Sequence, residues 1–153
     1  KSNDIIDVNY FINYEFIEKT LNKNLIKFKK KLELFKLAKT GSHGDFHDGN
    51  IILDSNNEIK FIDWRNYRKN NSILYDIFHN EVRSVCKSKN ISWTDAILNY
   101  NFLINFFIKD NLELNNIKIF YSLITIDLEL TLNKNDNIKL NKFREFLDKI
   151  DLN

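Results

Sequence analysis

Apolar residues recur about every three or four positions through most of the chain, and this spacing predicts helices. The first predicted helix covers residues 4 to about 20, with Asp4 as its N-cap. The second begins after Asn24 and ends at Gly41, since glycine commonly follows a helix C-terminus. Its apolar face consists of Leu25, Phe28, Leu32 and Phe35. The lysines of this helix lie mostly off that face, which indicates a solvated surface.

Four further helices are expected in the second half of the chain. Ser72 is the predicted N-cap of one that extends to about Val85. Ser92 opens the next through a capping box, and its apolar positions are Ile97, Tyr100, Leu103 and Phe107. Residues 117–132 are apolar on most sides, which predicts a buried helix, whereas residues 140–150 have an amphipathic pattern.

One short segment has the pattern of β-structure. Residues 51–53 are apolar, residues 54–57 are turn-forming, and residues 59–62 again contain an apolar run. This pattern predicts a hairpin of two short strands. We therefore expect an α+β fold, mostly α, with one small β-hairpin inserted after the second helix.

Composition narrows the class of protein. The chain has 153 residues and no proline, and its three glycines, Gly41, Gly44 and Gly49, fall within nine positions. The net charge of +2 supplies no strong reason to bind nucleic acid or an anionic membrane, and a lone Cys86 fits a reducing compartment. Residues 102–108, the longest strongly apolar stretch, are too few to span a membrane. We expect a cytoplasmic protein without nucleic-acid or membrane partners, and its oligomeric state stays open.

The glycine cluster also holds the densest set of chemically active side chains. Asp45 and Asn50 lie in a loop before the first strand of the hairpin, and Asp63 follows the second strand. Antiparallel pairing brings these two ends together, so Asn50 and Asp63 should place oxygen atoms near each other. Such oxygens suit Mg²⁺ in a site that also takes phosphates. Asp45 is placed to accept a proton from an attacking hydroxyl.

The spacing His-x-Asp-x-x-x-x-Asn, followed by a hairpin and a second aspartate, is that of the kinase catalytic loop and metal-binding aspartate. Three segments resemble the aminoglycoside phosphotransferase and choline kinase superfamily: His43-Gly44-Asp45-Phe46-His47 through Asn50, Phe61-Ile62-Asp63-Trp64, and Tyr75-Asp76-Ile77-Phe78-His79. The resemblance implies a protein-kinase-like C-terminal lobe over residues 1–153. Within it, residues 42–53 would be the catalytic loop, 59–64 the metal-binding end of the hairpin, and 72–151 the helical remainder.

That resemblance implies an activity and a role for each matching residue. The γ-phosphoryl of ATP or GTP would pass, with Mg²⁺, to a hydroxyl of a small molecule such as choline, another amino alcohol, a sugar or an aminoglycoside. Asp45 matches the catalytic base, and His43 matches the histidine that braces the catalytic loop. Asn50 and Asp63 match the Mg²⁺ ligands, and His47 is a further donor near the nucleotide phosphates.

Two departures from the family affect this interpretation. Asp76 matches the structural aspartate of the family. The candidate acceptor contacts are Trp64, Arg65 and Tyr75, and of these Arg65 stands where relatives often carry an acidic residue. A cation there favours an anionic acceptor. All three glycines lie in or beside the catalytic loop, so none remains for a loop that covers phosphates. We therefore expect the N-terminal nucleotide-binding lobe, which activity would need, to be absent from this chain.

Two alternatives stay open. The chain would be a non-catalytic or degenerate kinase-like module that binds a small molecule if it keeps these residues without a grip on the nucleotide. It would be a metal-dependent hydrolase if His43 and His47, with Asp45, Asp48 and Asp63 nearby, held zinc or iron. His-x-x-x-His binds metal chiefly from a helix, and the glycines indicate a loop instead.

Overall fold

The computed structural model describes residues 4–100, 102, 114–132 and 136–151 and has an α+β fold that is mostly helical. Its elements in chain order are β1 (Ile5–Asp7), α1 (Tyr14–Leu21), α2 (Ile26–Lys31), β2 (Lys36–Ala38), β3 (Ile51–Leu53), β4 (Ile59–Phe61), α3 (Ile73–Lys89), α4 (Trp93–Asn99), α5 (Leu114–Leu132) and α6 (Asn137–Asp151). Short 3₁₀ turns cover Val8–Phe11, Asp48–Asn50 and Trp64–Asn66. β1 pairs with β2 and β3 with β4, so the prediction of a single hairpin is corrected to two two-stranded sheets.

The chain divides into two compact units. One consists of Lys1–Ile5 and Leu37–Phe102, and the other of Ile6–Lys36 and Leu103–Asn153. The candidate loop, the β3–β4 hairpin, α3 and α4 belong to the first unit, and α1, α2, α5 and α6 belong to the second. A single kinase-like lobe over residues 1–153 stays a prediction.

The predicted hairpin is confirmed. β3 and β4 are antiparallel, with Ile51 opposite Phe61 and Leu53 opposite Ile59. The Asp54 carboxylate closes the turn because its Oδ1 accepts from two backbone amides, that of Asn56 at 2.8 Å and that of Glu58 at 3.0 Å.

The predicted starts of α3 and α4 are also confirmed. The Ser72 side chain accepts from the Leu74 amide, and Ser92 Oγ accepts from the Asp95 amide at 3.1 Å. α4 ends at Asn99, so Tyr100, expected on its apolar face, is instead extended. The other two positions assigned to that face, Leu103 and Phe107, lie outside the described residues.

α5 is buried over most of its surface, as its pattern predicts. The ring of Phe120 on this helix meets Phe11 and Phe35 edge-on, with centroids 6.1 and 6.4 Å away. α6 is amphipathic, and its buried side chains include Leu140, Phe143, Leu147 and Ile150. Within the described ranges, no helix combines the length and the apolar character needed to cross a membrane.

The two helices predicted for the first 41 residues are wrong in extent. The expected helix over residues 4–20 is replaced by β1, a 3₁₀ turn and the shorter α1. Asp7 Oδ1 accepts from the Asn9 amide at 2.8 Å, and Asn13 caps α1 through the Phe16 amide. These local side-chain bonds compete with a continuous helix. The second helix ends at Lys31 and not at Gly41. The chain then continues into β2, so Gly41 follows a strand.

Candidate functional site

The candidate catalytic loop is anchored by the carboxylate of Asp76, which lies in the first turn of α3. Asp76 Oδ2 accepts from the backbone amide of His43 at 2.6 Å, and Oδ1 accepts from that of Gly44 at 2.9 Å. Burial raises the pKa of this carboxyl, and the two amide donors oppose that rise. The structure thus gives Asp76 a bracing position at the base of the loop.

A second anchor joins the start of the loop to the segment after the hairpin. Ser42 and Arg68 exchange two backbone hydrogen bonds of 2.9 and 3.0 Å. Asn71 is fully buried, and its side chain donates to Ser42 Oγ at 2.8 Å. Gly44 has φ +84°, and a Cβ there would lie 2.1 Å from the carbonyl oxygen of Asn66, so only glycine fits at this crossing.

Asp45, the candidate base, is held by a histidine of α3. His79 Nε2 lies 3.2 Å from Asp45 Oδ1, and its proton therefore donates to the carboxylate. This bond is the largest of several effects that lower the pKa of Asp45, and electrostatic interactions with His79, His47 and Arg83 act in the same direction. Asp45 is consequently ionised at neutral pH, and the hydrogen bond from His79 is made to Oδ1.

His47 lies beside the same carboxylate. Its Nδ1 accepts from the Gly49 amide at 3.0 Å, which places the ring proton on Nε2. Nε2 is 3.6 Å from Asp45 Oδ1. The ring is one-fifth exposed and is thus able to meet a ligand.

Asn50 is connected to both the loop and the hairpin. Its side-chain amide donates to the Asp45 carbonyl oxygen at 2.8 Å, and its own carbonyl accepts from the Ile62 amide at 3.0 Å. Ile62 directly precedes Asp63, so the hairpin brings the backbones of the two candidate metal ligands together. The donation through Nδ2 leaves Asn50 Oδ1, a hard oxygen donor, for a cation.

Asp63 occupies an unusual backbone conformation and has a strong partner. Its φ is +60°, in the left-handed region that non-glycine residues seldom adopt. Arg65 donates to both carboxylate oxygens, with Nε to Oδ1 at 2.6 Å and Nη2 to Oδ2 at 2.7 Å. The guanidinium lowers the pKa of Asp63. In this structure Arg65 therefore stands where a cation bound to Asp63 would be.

His43 is buried beneath the end of the hairpin. Its Nε2 donates to the Ile62 carbonyl at 2.8 Å, and its ring packs on Trp64 with centroids 4.5 Å apart. Nδ1 is buried without a hydrogen-bond partner among the described residues. His43 therefore braces the loop through packing and its backbone, and its side chain does not reach Asp45 through any hydrogen bond that the described residues show.

The three candidate acceptor contacts lie in three different environments in the structure. Trp64 is half-exposed and, with Phe61 and Tyr67, lines a cavity of about 330 Å³. Arg65 is exposed and paired with Asp63. Tyr75 is only 1% exposed and stacks on His79, so its assignment to the acceptor is corrected: its ring supports the histidine that holds Asp45.

His79 contacts the candidate base, and no role in the site was predicted for it from the sequence. It lies three residues after Asp76, so both side chains project from one face of α3 toward the loop. That spacing was a usable signal once Asp76 was taken as the anchor.

The described residues include no group of three or more His, Cys, Asp or Glu side chains placed to hold a metal ion. His43 is separated from His47 by its bond to the Ile62 carbonyl, which does not favour a transition-metal site. Comparisons with protein-family models, curated proteins and solved structures find no match for this chain.

Proposed function

We propose that this chain carries the catalytic loop of a phosphotransferase that moves the γ-phosphoryl group of a nucleoside triphosphate to a hydroxyl of a small molecule. Asp45 is the base, Asn50 and Asp63 are the Mg²⁺ ligands, and His79 positions Asp45. The protein-kinase-like fold that this implies is part of the proposal.

The observation that supports it most is the double anchor of the loop. One carboxylate, Asp76, receives two consecutive loop amides, and the hairpin returns Asp63 to the loop through the bond between Ile62 and Asn50. Asp45, 18 positions before Asp63 in sequence, is thereby close enough to act on the pKa of the Asp63 carboxyl, which its charge raises. Phosphoryl transfer relies mainly on such positioning.

The chemistry assigned to the residues is an in-line displacement. The acceptor hydroxyl oxygen attacks the γ-phosphorus, a new O–P bond forms, and the bond from that phosphorus to the β–γ bridging oxygen breaks. The hydroxyl proton passes to Asp45 Oδ2, and the nucleoside diphosphate leaves. His79 and His47 keep Asp45 ionised and oriented before the transfer.

The oxygen donors near the hairpin end fit Mg²⁺ by their chemistry, because Asn50 Oδ1 and the Asp63 carboxylate are hard ligands. When bound there, Mg²⁺ would neutralise charge on the phosphates. Arg65 would compete with Mg²⁺ for Asp63, since it donates one hydrogen bond to each carboxylate oxygen.

The Arg65–Asp63 pair favours a second candidate function. A guanidinium bound at both carboxylate oxygens neutralises Asp63 and occupies that carboxylate without any metal. In that case the chain would bind its small molecule without catalysing transfer.

The two candidates separate in a turnover assay performed on the full-length protein with MgATP and a panel of amino alcohols, sugars, aminoglycosides and small hydroxylated anions. We expect Mg²⁺-dependent release of nucleoside diphosphate, and Asp45→Asn should reduce it by roughly 10²- to 10⁴-fold. Glu58→Gln, an exposed change in the hairpin turn, is the matched control and should retain turnover. Turnover that survives Asp45→Asn would refute the assignment of the base, and acceptor binding without turnover would establish the non-catalytic module.

A further inference from the structure

A groove of about 420 Å³ opens beside the candidate base. His47 and Gly49 of the loop line one side, and Arg83, Cys86 and Lys87 of α3 line the other. It shares His47 with the surroundings of Asp45, where His47 Nε2 is 3.6 Å from Asp45 Oδ1. Its volume suits a small metabolite.

The groove lies within reach of the reacting hydroxyl. His79, which donates to Asp45, and Arg83 are four residues apart on α3 and thus occupy the same face. One helical turn separates them, about 6 Å along the axis. A molecule with a hydroxyl at Asp45 would therefore place a group a few bonds away beside Arg83.

The groove is lined by two cationic side chains, Arg83 and Lys87, and by one carboxylate, Asp48. Arg83 is exposed and makes no hydrogen bond or ion pair with the described residues. Lys87 faces Asp48 at 3.7 Å, but both side chains are more than two-thirds exposed, so that pair is weak. Arg83 also acts on Asp45 at a distance and helps lower the pKa of its carboxyl. A planar guanidinium without a partner is suited to bind a carboxylate or a phosphate.

We infer that the phosphoryl acceptor is a small hydroxylated anion whose carboxylate or phosphate binds Arg83, with Lys87 as a second contact. This inference rests on the proposed function, because it assigns the acceptor class of that site. A neutral sugar or a cationic amino alcohol would leave Arg83 unpaired and is a poorer ligand.

Calorimetric titration of the chain without nucleotide tests the groove independently of catalysis. The probes are glycerol, choline, glycerate and glycerol 3-phosphate, which are neutral, cationic, a carboxylate and a phosphate ester. We expect the two anions to bind at least roughly tenfold more tightly than glycerol or choline, since charge-assisted hydrogen bonds are the stronger class. The two anionic probes then show which of the two groups the groove prefers.

Arg83→Gln should weaken binding of the anions by roughly tenfold and leave glycerol unchanged. Lys89→Gln, an exposed change at the end of α3 that does not line the groove, is the matched control. Equal affinity for all four probes, or unchanged anion affinity in Arg83→Gln, would overturn the inference. So would displacement of the bound anions by ATP alone, which would assign the groove to the nucleotide phosphates.

The inference and the proposed function fail in different ways. Anion binding that depends on Arg83, without any MgATP turnover, would keep the groove and reject the phosphotransferase. Turnover lost in Asp45→Asn but equally fast with glycerol and glycerate would keep the phosphotransferase and reject the anionic acceptor.

Discussion

Replacing Gly44 by alanine should break the crossing between the candidate loop and the turn after the hairpin. A Cβ at this position would lie 2.1 Å from the Asn66 carbonyl oxygen, whereas an ordinary contact begins near 3.4 Å. The obstacle is backbone, so relief requires the two segments to separate by more than 1 Å. The φ of +84° adds strain for any residue with a side chain, about 1–2 kcal/mol.

Separation of the segments would also cost hydrogen bonds. The nearest are Gly44 N to Asp76 Oδ1 at 2.9 Å and the Ser42–Arg68 pair at 2.9 and 3.0 Å. A net contribution of about 1 kcal/mol for each of the three bonds, added to the conformational strain, gives a destabilisation of about 4–5 kcal/mol for Gly44→Ala. Urea unfolding followed by circular dichroism measures it.

Gly49→Ala is the matched control in the same loop. Gly49 has an ordinary φ, and the nearest atom to an added Cβ is Cε1 of the His47 side chain at 2.8 Å, which rotation of that ring relieves. We expect a loss below about 1 kcal/mol, typical of surface changes. If Gly44→Ala costs no more than Gly49→Ala, the reasoning from the Asn66 contact is wrong.

Two further predictions concern the carboxylates of the site. His79→Leu, which removes the hydrogen-bond donor, should raise the pKa of Asp45 toward its ordinary value, because the His79 bond is the largest cause of its lowering; carboxyl ¹³C NMR titration measures this, and an unchanged midpoint would contradict it. A lowered pKa in the folded state stabilises the fold above the ordinary value and stops doing so as the pH falls through the lowered one, so this variant should lose less stability on acidification. Arg65→Gln should bind Mg²⁺ a few-fold more tightly by NMR titration at Asn50, because Asp63 is freed from an exposed and therefore weak ion pair; equal affinity would show that the guanidinium does not compete.

Local signals in the sequence were sufficient for the hairpin and for the starts of two helices. Asp54 in the turn and the N-caps Ser72 and Ser92 accept hydrogen bonds from amides only two or three positions further along the chain. Such local interactions can be predicted from the sequence. The bond between the Ile62 amide and the Asn50 carbonyl follows from the hairpin by geometry, whereas a shared site of the Asn50 and Asp63 side-chain oxygens stays a prediction.

The wrong predictions concern residues whose structure is determined by distant or competing contacts. The Asp7 carboxylate and the Asn13 side chain bond nearby amides and divide one predicted helix, although the apolar spacing continues through both. Tyr75 was assigned to the acceptor because aromatic residues serve both cores and binding sites, and only tertiary burial distinguishes the two roles. His79 was missed since its partner, Asp45, is 34 positions away in the chain.

The groove beside α3 contains a natural reporter group. Cys86, the single cysteine of the chain, lines it, and burial raises the pKa of the thiol, so reaction with thiol reagents should be slow at neutral pH and faster in mild base. Alkylation can thus be directed to one atom without background labelling. The alkylation rate of Cys86 then reports whether a ligand occupies the groove, and the measurement requires neither an engineered label nor the identity of the ligand.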